Sequence, residues 1–442
     1  MRLMNQNPIR VFMTMASKHF TIVEYEKLMT QDFGDKKGFY ELRDFAFSET
    51  GQKVLSAGMD YVKAKSHVGV IQTKSGHTVE ILPKIYLTKE KEDVSHEIKE
   101  TYRQIFCQML KKIKRLPDNK KLDFARLRTD KNIPILEVYI SMFADEMFSL
   151  IQKGVLAFYV TKEANLKYLK GKLKINDHIK HNYIHKERFF VAYDEFLPDI
   201  PENRLLKSTI IKLEKLSRSL ENQKKLKELR FVMDDIPLSR QIKQDFARCR
   251  KDRSVKHYEK ALAWSRLFLN EESFSSYRGP GIAFAILFPM EKVFEAYVGE
   301  LLRERQDIRD FRTQDKRYYL AKENGKDIFQ LRPDFTGLID NKLYIMDAKW
   351  KLINEKSRDE KYGINQSDMY QLFSYGKIYE NIGNNNEKDK KTIQLELFYP
   401  EPQGASGSTI EFCFNDRNKI SLKVCFVNLE DGKINWSHDG NE

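Results

Sequence analysis

The sequence predicts a multidomain α/β protein, β-rich at its amino end, helical and mixed in the middle, with strands alternating with one strong helix towards its carboxyl end. Three observations lead there. First, 442 residues, 41% of them apolar and 12% aromatic, can bury two or three cores of ordinary domain size. Second, apolar residues alternate or run together over short stretches at 68–82 and 326–351, but recur at helical spacing over 101–112, 135–152 and 202–231. Third, Tyr277 to Gly281 (YRGPG) is linker-like punctuation. These features divide the chain into a β-rich region 1–100, a helical and mixed region 101–260, and a carboxyl-terminal domain 261–442.

Along the first region, Val68–Thr73 and His77–Leu82 read as a hairpin around a two-residue Ser75-Gly76 turn, which sets Val70 opposite Ile81 and Gln72 opposite Val79. Pro83 ends that ladder because it has no N–H to give. Lys89–Glu100 reads as a charged connector. Thr101–Lys112 and Ile135–Gln152 follow as amphipathic helices, the second stopped by Gly154. Residues 155–200 read as strands and loops. Glu202–Phe231 carries Leu205, Leu206, Ile210, Leu213, Leu216 and Leu220 at helical spacing, with a break expected near Asn222. A further helix is expected from about Pro289 to Arg305, and another over Ser367–Glu380 with Ser367 as its cap.

Composition excludes several classes. Twenty Gly and twelve Pro are too few for a collagenous chain, and 29 Phe with 21 Tyr are too many for a disordered one. No apolar run approaches the roughly 18 to 20 residues of a membrane helix, and Met1–Arg10 lacks the apolar core of a secretory signal, so a cytoplasmic protein without membrane contact is expected. Cys107, Cys249, Cys413 and Cys425 form no CxxC pair and read as reduced core thiols. Of the net +13, residues 161–260 hold +10, from 25 Lys+Arg against 15 Asp+Glu, which marks a candidate nucleic-acid face. His178, His181 and His185 lie within it among Lys174, Lys180, Lys186 and Arg188, a setting that suits phosphate better than a metal ion. No G-x-x-x-x-G-K-[ST] phosphate loop occurs, so any nucleotide-driven motion must come from another subunit.

The chemistry concentrates in Lys326–Lys351. Two strands there flank Asp340-Asn341, residue types that tolerate the left-handed backbone of a two-residue turn. A turn centred between them sets Asp334 opposite Asp347 and Arg332 opposite Lys349. Period-two alternation then places Asp347 and Lys349 on one face, and Met346, Ala348 and Trp350 on the other. Two facing carboxylates repel unless a cation compensates them, and Mg²⁺ suits all-oxygen ligands that leave several waters in place. Such an ion acidifies bound water and offsets phosphoryl charge, so phosphodiester hydrolysis is the chemistry implied. The structural alternative pairs Asp347 with Arg332 or Lys349. Upstream, Glu295 stands at the margin of an apolar helical face and could reach the same ion. Downstream, Gln371 and Tyr375 lie one helical turn apart as possible accessory groups.

With Pro333-Asp334 as first element and Asp347-Ala348-Lys349 as second, the sequence resembles the PD-(D/E)xK nuclease superfamily. Four further segments, VEILPKI at 79–85, LKGKL at 169–173, NRLLK at 203–207 and MEKVFEAYV at 290–298, make it similar to McrC, the nuclease subunit of McrBC-type modification-dependent restriction systems. The resemblance implies a carboxyl-terminal nuclease domain with a central mixed β-sheet flanked by helices, preceded by an arm that docks on a partner. It implies that Asp334, Asp347, the Ala348 carbonyl and Glu295 hold Mg²⁺, with Mn²⁺ as a substitute, and that Lys349 serves the attacking water. It also implies an McrB-like AAA+ GTPase hexamer as partner, GTP entering only through that partner, and double-stranded DNA as substrate. Lys74, Ser75 and His77 at the hairpin tip are candidates for partner contact. Two other readings stay open: a non-catalytic activator of the GTPase, and a stand-alone repair or RNA-processing nuclease.

Overall fold

The computed structural model describes residues 18–86, 95–113, 134–250, 252–269, 281–354, 358–383, 392–402, 410–415 and 420–436. The amino-terminal part contains β1 (His19–Val23), β2 (Lys27–Met29), α1 (Lys36–Phe47), β3 (Leu55–Ala57), β4 (Tyr61–Ala64), β5 (His67–Thr73), β6 (Thr78–Leu82) and α2 (His96–Lys112). The middle contains α3 (Ile135–Lys153), β7 (Phe158–Leu166), β8 (Lys172–Leu173), α4 (Ile175–Asn182), β9 (Phe189–Leu197), α5 (Pro201–Leu216), α6 (Leu220–Val232), α7 (Ile242–Arg248) and α8 (Glu259–Leu269). The remainder holds β10 (Ile282–Pro289), α9 (Met290–Arg303), β11 (Arg309–Thr313), β12 (Tyr319–Glu323), β13 (Lys326–Gln330), β14 (Phe335–Ile339), β15 (Lys342–Ala348), α10 (Gln366–Gly383), β16 (Ile393–Pro400), β17 (Ile410–Cys413), β18 (Ser421–Val427) and β19 (Ile434–Asn435).

Where the sequence suggests three consecutive regions, contacts divide the chain into two compact units, one made of 1–109 with 277–442 and the other of 110–276. The reason is β10, which pairs antiparallel with β5 and completes a sheet of order β1-β6-β5-β10. Gly69 makes this approach possible: its φ is +135°, and a Cβ there would stand 2.0 Å from the Ile286 carbonyl oxygen. YRGPG precedes this strand, but residues 277–280 lie outside the described residues.

The hairpin of β5 and β6 differs from expectation by one residue. Val70 faces Glu80 and Gln72 faces Thr78, because the loop has three residues, Lys74 to Gly76, closed by Thr73 N–H donating to the His77 carbonyl. Only Gly76 is left-handed, at φ +92°. Nearly every residue of both strands is buried, so apolar alternation carried no information about register. The tip is tied down: Ser75 N–H and hydroxyl both donate to Glu41, and His77 is 3% exposed, its Nδ1 accepting from Lys18 N–H. Of the three candidates for partner contact, only Lys74 is exposed.

The large sheet runs β11-β14-β15-β16-β18-β17, with β19 on β18. Its β15, β16 and β18 are parallel and its outer strands antiparallel, a mixed sheet. α10 makes the crossover from β15 to β16 and buries Leu372, Tyr375 and Tyr379 against Ile345, Leu395, Leu397 and Val424.

Several local readings are corrected. α2 starts at His96, so the end of the expected connector is helical; residues 87–94 lie outside the described residues. The helix expected from Pro289 begins at Met290, after Pro289 has closed β10. α10 begins at Gln366, and the Asn365 side chain accepts the Ser367 N–H, so Ser367 lies inside the helix and is not its cap. Residues 155–200 include α4, missed because its exposed apolar and basic positions mimic a loop. The long basic helix breaks at Ser217–Ser219, where the buried Glu137 carboxylate accepts from Ser217, Arg218, Ser219 and Asn222, so Asn222 belongs to the next helix. Cys413 is exposed and Cys249 only partly buried, which leaves Cys107 and Cys425 as core thiols.

The motif segments have structural roles. Glu80, fully buried in β6, takes two hydrogen bonds from Arg103. Gly171, at φ +71°, passes so close to β9 that a Cβ would meet the Ala192 oxygen at 2.5 Å. Asn203 donates to the Leu156 and Pro198 carbonyls and accepts from Tyr258. In the basic middle unit, Lys162, Lys174, Arg204, Lys225 and Arg230 each face a carboxylate, as on a solvated mixed-charge surface. His178 stacks on Phe189 and His181 on Phe190, whereas His185 faces Glu187, so the three rings are each engaged separately. Among the described residues, no helix is long and apolar enough to cross a membrane.

Candidate active site

The expected hairpin register holds. Asp340 and Asn341 are both left-handed, at φ 45° and 63°, and the ladder runs from Ile339 opposite Lys342 to Phe335 opposite Met346. Asp334 precedes the first ladder residue, and its Oδ2 accepts the Ala348 N–H at 3.0 Å. This bond pins the motif aspartate of one strand to the residue beside Asp347 on the other.

Asp347 is 2% exposed. Its Oδ2 lies 2.6 Å from Lys349 Nζ, an ion pair, yet that buried oxygen has no hydrogen-bond donor in good geometry. Arg332 is exposed and reaches Gln330, so the pairing considered between Arg332 and Asp347 is absent. Lys349 Nζ also donates to Gln371 Oε1 at 3.3 Å, and Gln371 Nε2 donates to the Tyr375 hydroxyl at 2.9 Å. The two accessory groups thus form one chain that ends on the lysine.

Glu295 is brought in by α9, whose Gly299 leaves room for the Phe335 ring; a Cβ there would stand 2.9 Å from it. Glu295 and Asp334 are joined through a third residue. Gln314, which the sequence did not single out, donates from Nε2 to Glu295 Oε1 at 2.6 Å and to Asp334 Oδ1 at 3.0 Å. Glu24 was missed as well: it accepts from Trp350 Nε1 at 3.0 Å and from Lys84 N–H at 2.9 Å, which ties the strand end after Lys349 to the amino-terminal sheet. Neither has a motif around it; both depend on pairing between distant segments.

The electrostatics follow from crowding. Burial, then the charges of Asp347 and Glu295, push the Asp334 carboxyl well above its ordinary value against the Ala348 N–H and Lys349. Burial also raises Asp347, with Lys349 opposing it, and raises Glu295. Burial works against a charged Lys349, but Asp347 outweighs it and holds the ammonium above its ordinary value. Among the described residues, no three His, Cys, Asp or Glu side chains converge into a ready-made metal cage. Two carboxylates and a lysine of this kind can hold a divalent ion only with water and backbone oxygen completing its shell.

A family model described as McrBC 5-methylcytosine restriction system component matches residues 62–385. A chain of the refined half-complex from the tetradecameric assembly of Thermococcus gammatolerans McrB AAA+ hexamers with bound McrC is similar in fold, with a TM-score of 0.69 and 20% identity over 96% of each chain. A chain of the cryo-EM structure of the Thermococcus gammatolerans McrBC complex aligns at a TM-score of 0.49 and 22% identity, covering 65% of this chain and 88% of that one. No curated protein matches by sequence. The family match spans well over half of the 442 residues, from β4 through the candidate site to the end of α10, and the chain therefore belongs to the McrBC 5-methylcytosine restriction system component family.

Proposed function

We propose that the chain is the DNA endonuclease subunit of an McrBC-like restriction complex, with a PD-(D/E)xK nuclease site at the β14–β15 hairpin. In this reading it cuts double-stranded DNA when assembled with an McrB-like AAA+ GTPase hexamer, stimulates that partner's GTP hydrolysis, and works in the cytoplasm. The observation that carries it is the Asp334–Ala348 hydrogen bond beside the Asp347–Lys349 ion pair, which sets two carboxylates and a lysine at one strand end. The neighbouring solved assembly, in which McrC is bound to McrB AAA+ hexamers, supports the choice of partner.

The donor set fits a hard cation. Asp347 presents a buried oxygen whose close partner is the Lys349 ammonium, and Asp334 is a carboxyl whose ionised form is disfavoured by burial and then by the charges of Asp347 and Glu295, a balance that a cation would reverse. Asp334, Asp347, the Ala348 carbonyl and Glu295 would hold Mg²⁺ or Mn²⁺, which supplies an acidified water and charge neutralisation at the phosphate. Lys349 is held at the site by Asp347 and Gln371, so its ammonium orients the attacking water or offsets charge developing on the phosphoryl oxygens. Glu24 and Phe294 hold Trp350, which fixes the strand end from which Lys349 projects.

The test separates two activities in the assembled complex. Lys349→Ala is expected to lower DNA cleavage at least about a hundredfold and leave partner binding and GTPase stimulation unchanged. Cleavage at the wild-type rate would refute the role of Lys349. GTPase stimulation with no cleavage even by the wild type would favour a non-catalytic activator.

A further inference from the structure

Resting on the nuclease reading, we propose that Gln314 is a positioning residue that ties Glu295 to Asp334 and so makes Glu295 the third carboxylate of the cation site. One primary amide nitrogen carries two hydrogens, and Gln314 Nε2 lies 2.6 Å from Glu295 Oε1 and 3.0 Å from Asp334 Oδ1, one hydrogen for each. With the site ionised, as it is when a cation is bound, the reversed amide would set its carbonyl oxygen against two carboxylates, so the donor orientation is the one that satisfies both acceptors.

The residue is itself held in place. Its own N–H donates to the Asp334 carbonyl at 2.8 Å, and the next N–H, of Asp315, donates to the Pro333 carbonyl. Its φ is +51°, left-handed without being glycine, a conformation kept only where surrounding contacts determine it. On one side Thr313 pairs with Phe335; on the other, the buried Asp315 carboxylate is held by Arg317 and by the Thr336 hydroxyl. The end of β11 is therefore fastened to the start of β14 by backbone, and the Gln314 side chain extends that fastening to α9. Glu295 has no such tie of its own: it sits on a different element from both aspartates, and like charge repels it from them. Among the described residues no three carboxylates converge into a cage even with this amide in place, so what Gln314 supplies is a tether: it holds Glu295 one hydrogen bond from the amide that also holds Asp334, near enough for an arriving cation to recruit it.

The experiment measures Mn²⁺ binding to the full-length chain by calorimetry, alongside Mg²⁺-dependent cleavage by the assembled complex. Gln314→Ala is expected to weaken Mn²⁺ binding by roughly ten- to a hundredfold, the range for residues that orient metal ligands. Glu295→Gln should weaken it by a similar factor, and the double variant no further than Glu295→Gln alone. Gln314→Met keeps the length of the side chain but cannot donate, so it must reproduce the alanine result, and it carries the test if the alanine variant fails to fold. Wild-type Mn²⁺ affinity in both Gln314 variants, or losses that multiply in the double variant, would overturn the inference. If Asp347→Ala loses Mn²⁺ while the Gln314 variants keep it, the nuclease site stands and Gln314 is incidental. If Asp347→Ala keeps it too, both readings fall.

Discussion

Two hairpins in one unit show different ways in which register is set. At Asp340-Asn341 the turn has two residues, both left-handed, and the ladder starts on the residues flanking them. At Lys74-Ser75-Gly76 it has three residues, only the glycine is left-handed, and the pairing shifts by one. Both contain turn-forming residue types, but a single glycine is compatible with two loop lengths, whereas two adjacent residues that tolerate the left-handed region strongly favour the shorter. The strands do not help in the first case, because β5 and β6 are buried on both faces. In the second they do: a lone carboxylate within an apolar strand is costly to leave uncompensated, so Asp347 marks which face must meet another charged group.

The largest effect is expected from giving the second hairpin the loop length of the first. A glycine inserted between Asp340 and Asn341 should slip the pairing, remove the Ala348 bond to Asp334 and bring cleavage by the assembled complex to background in a plasmid assay. Retained cleavage would mean that sheet packing, not the turn, sets the register.

Next comes the pair that anchors the first hairpin. Replacing Glu80 with Gln leaves Arg103 to pair with Glu100 and weakens its two bonds to β6, which should cost about 1–3 kcal/mol in urea unfolding. Burial alone would raise Glu80, but the hydrogen bonds from Arg103, with the His19 ring 3.7 Å away, hold it at about 2. Its stabilisation is therefore present above the ordinary value of 4.5 and lost as pH falls towards about 2. Glu396, in β16 beside the β14–β15 hairpin, behaves oppositely: burial raises it to about 8, so its contribution is complete below 4.5 and lost as pH rises towards about 8. Glu396→Gln should flatten the fall in stability between pH 4.5 and about 8, and Glu80→Gln the fall between 4.5 and about 2. Curves parallel to the wild type would contradict both assignments.

Smaller effects test the turns themselves. Gly76→Ala must carry a Cβ at φ +92° and should cost about 1–2 kcal/mol, read as a lower urea midpoint. Asn341→Gly relieves a left-handed side chain but loosens the unfolded chain, and should change stability by no more than about 0.5 kcal/mol. A large loss there would show that the Asn341 side chain does more than permit the turn.

These hairpins also explain what was legible in the sequence. The facing of Asp334 and Asp347 could be read because it depends only on a local turn and period-two alternation. Glu295 could be placed at a helix margin, but its link to the site runs through Gln314, a residue with an unusual backbone conformation twenty positions before Asp334. No local pattern announces that. The same holds for Glu24 with Trp350 and for β10 with β5, where pairing joins opposite ends of the chain. The break in the basic helix was close to legible, since Asn222 is one of the groups that bind Glu137. Glu137 itself was hidden, a buried carboxylate in a helix more than eighty residues away.

The most direct test of the central claim, that the hairpin carboxylates form a cation-dependent phosphodiesterase site, is plasmid cleavage in Mg²⁺ by wild type and Asp347→Ala. Each is assayed with and without the GTPase partner and GTP, on methylated and unmethylated DNA. The expected result is cutting that requires the partner, GTP and Asp347 together, with the preferred DNA defining the target. Cutting by Asp347→Ala at the wild-type rate would contradict the claim, and cutting by the wild-type chain alone would contradict its dependence on assembly.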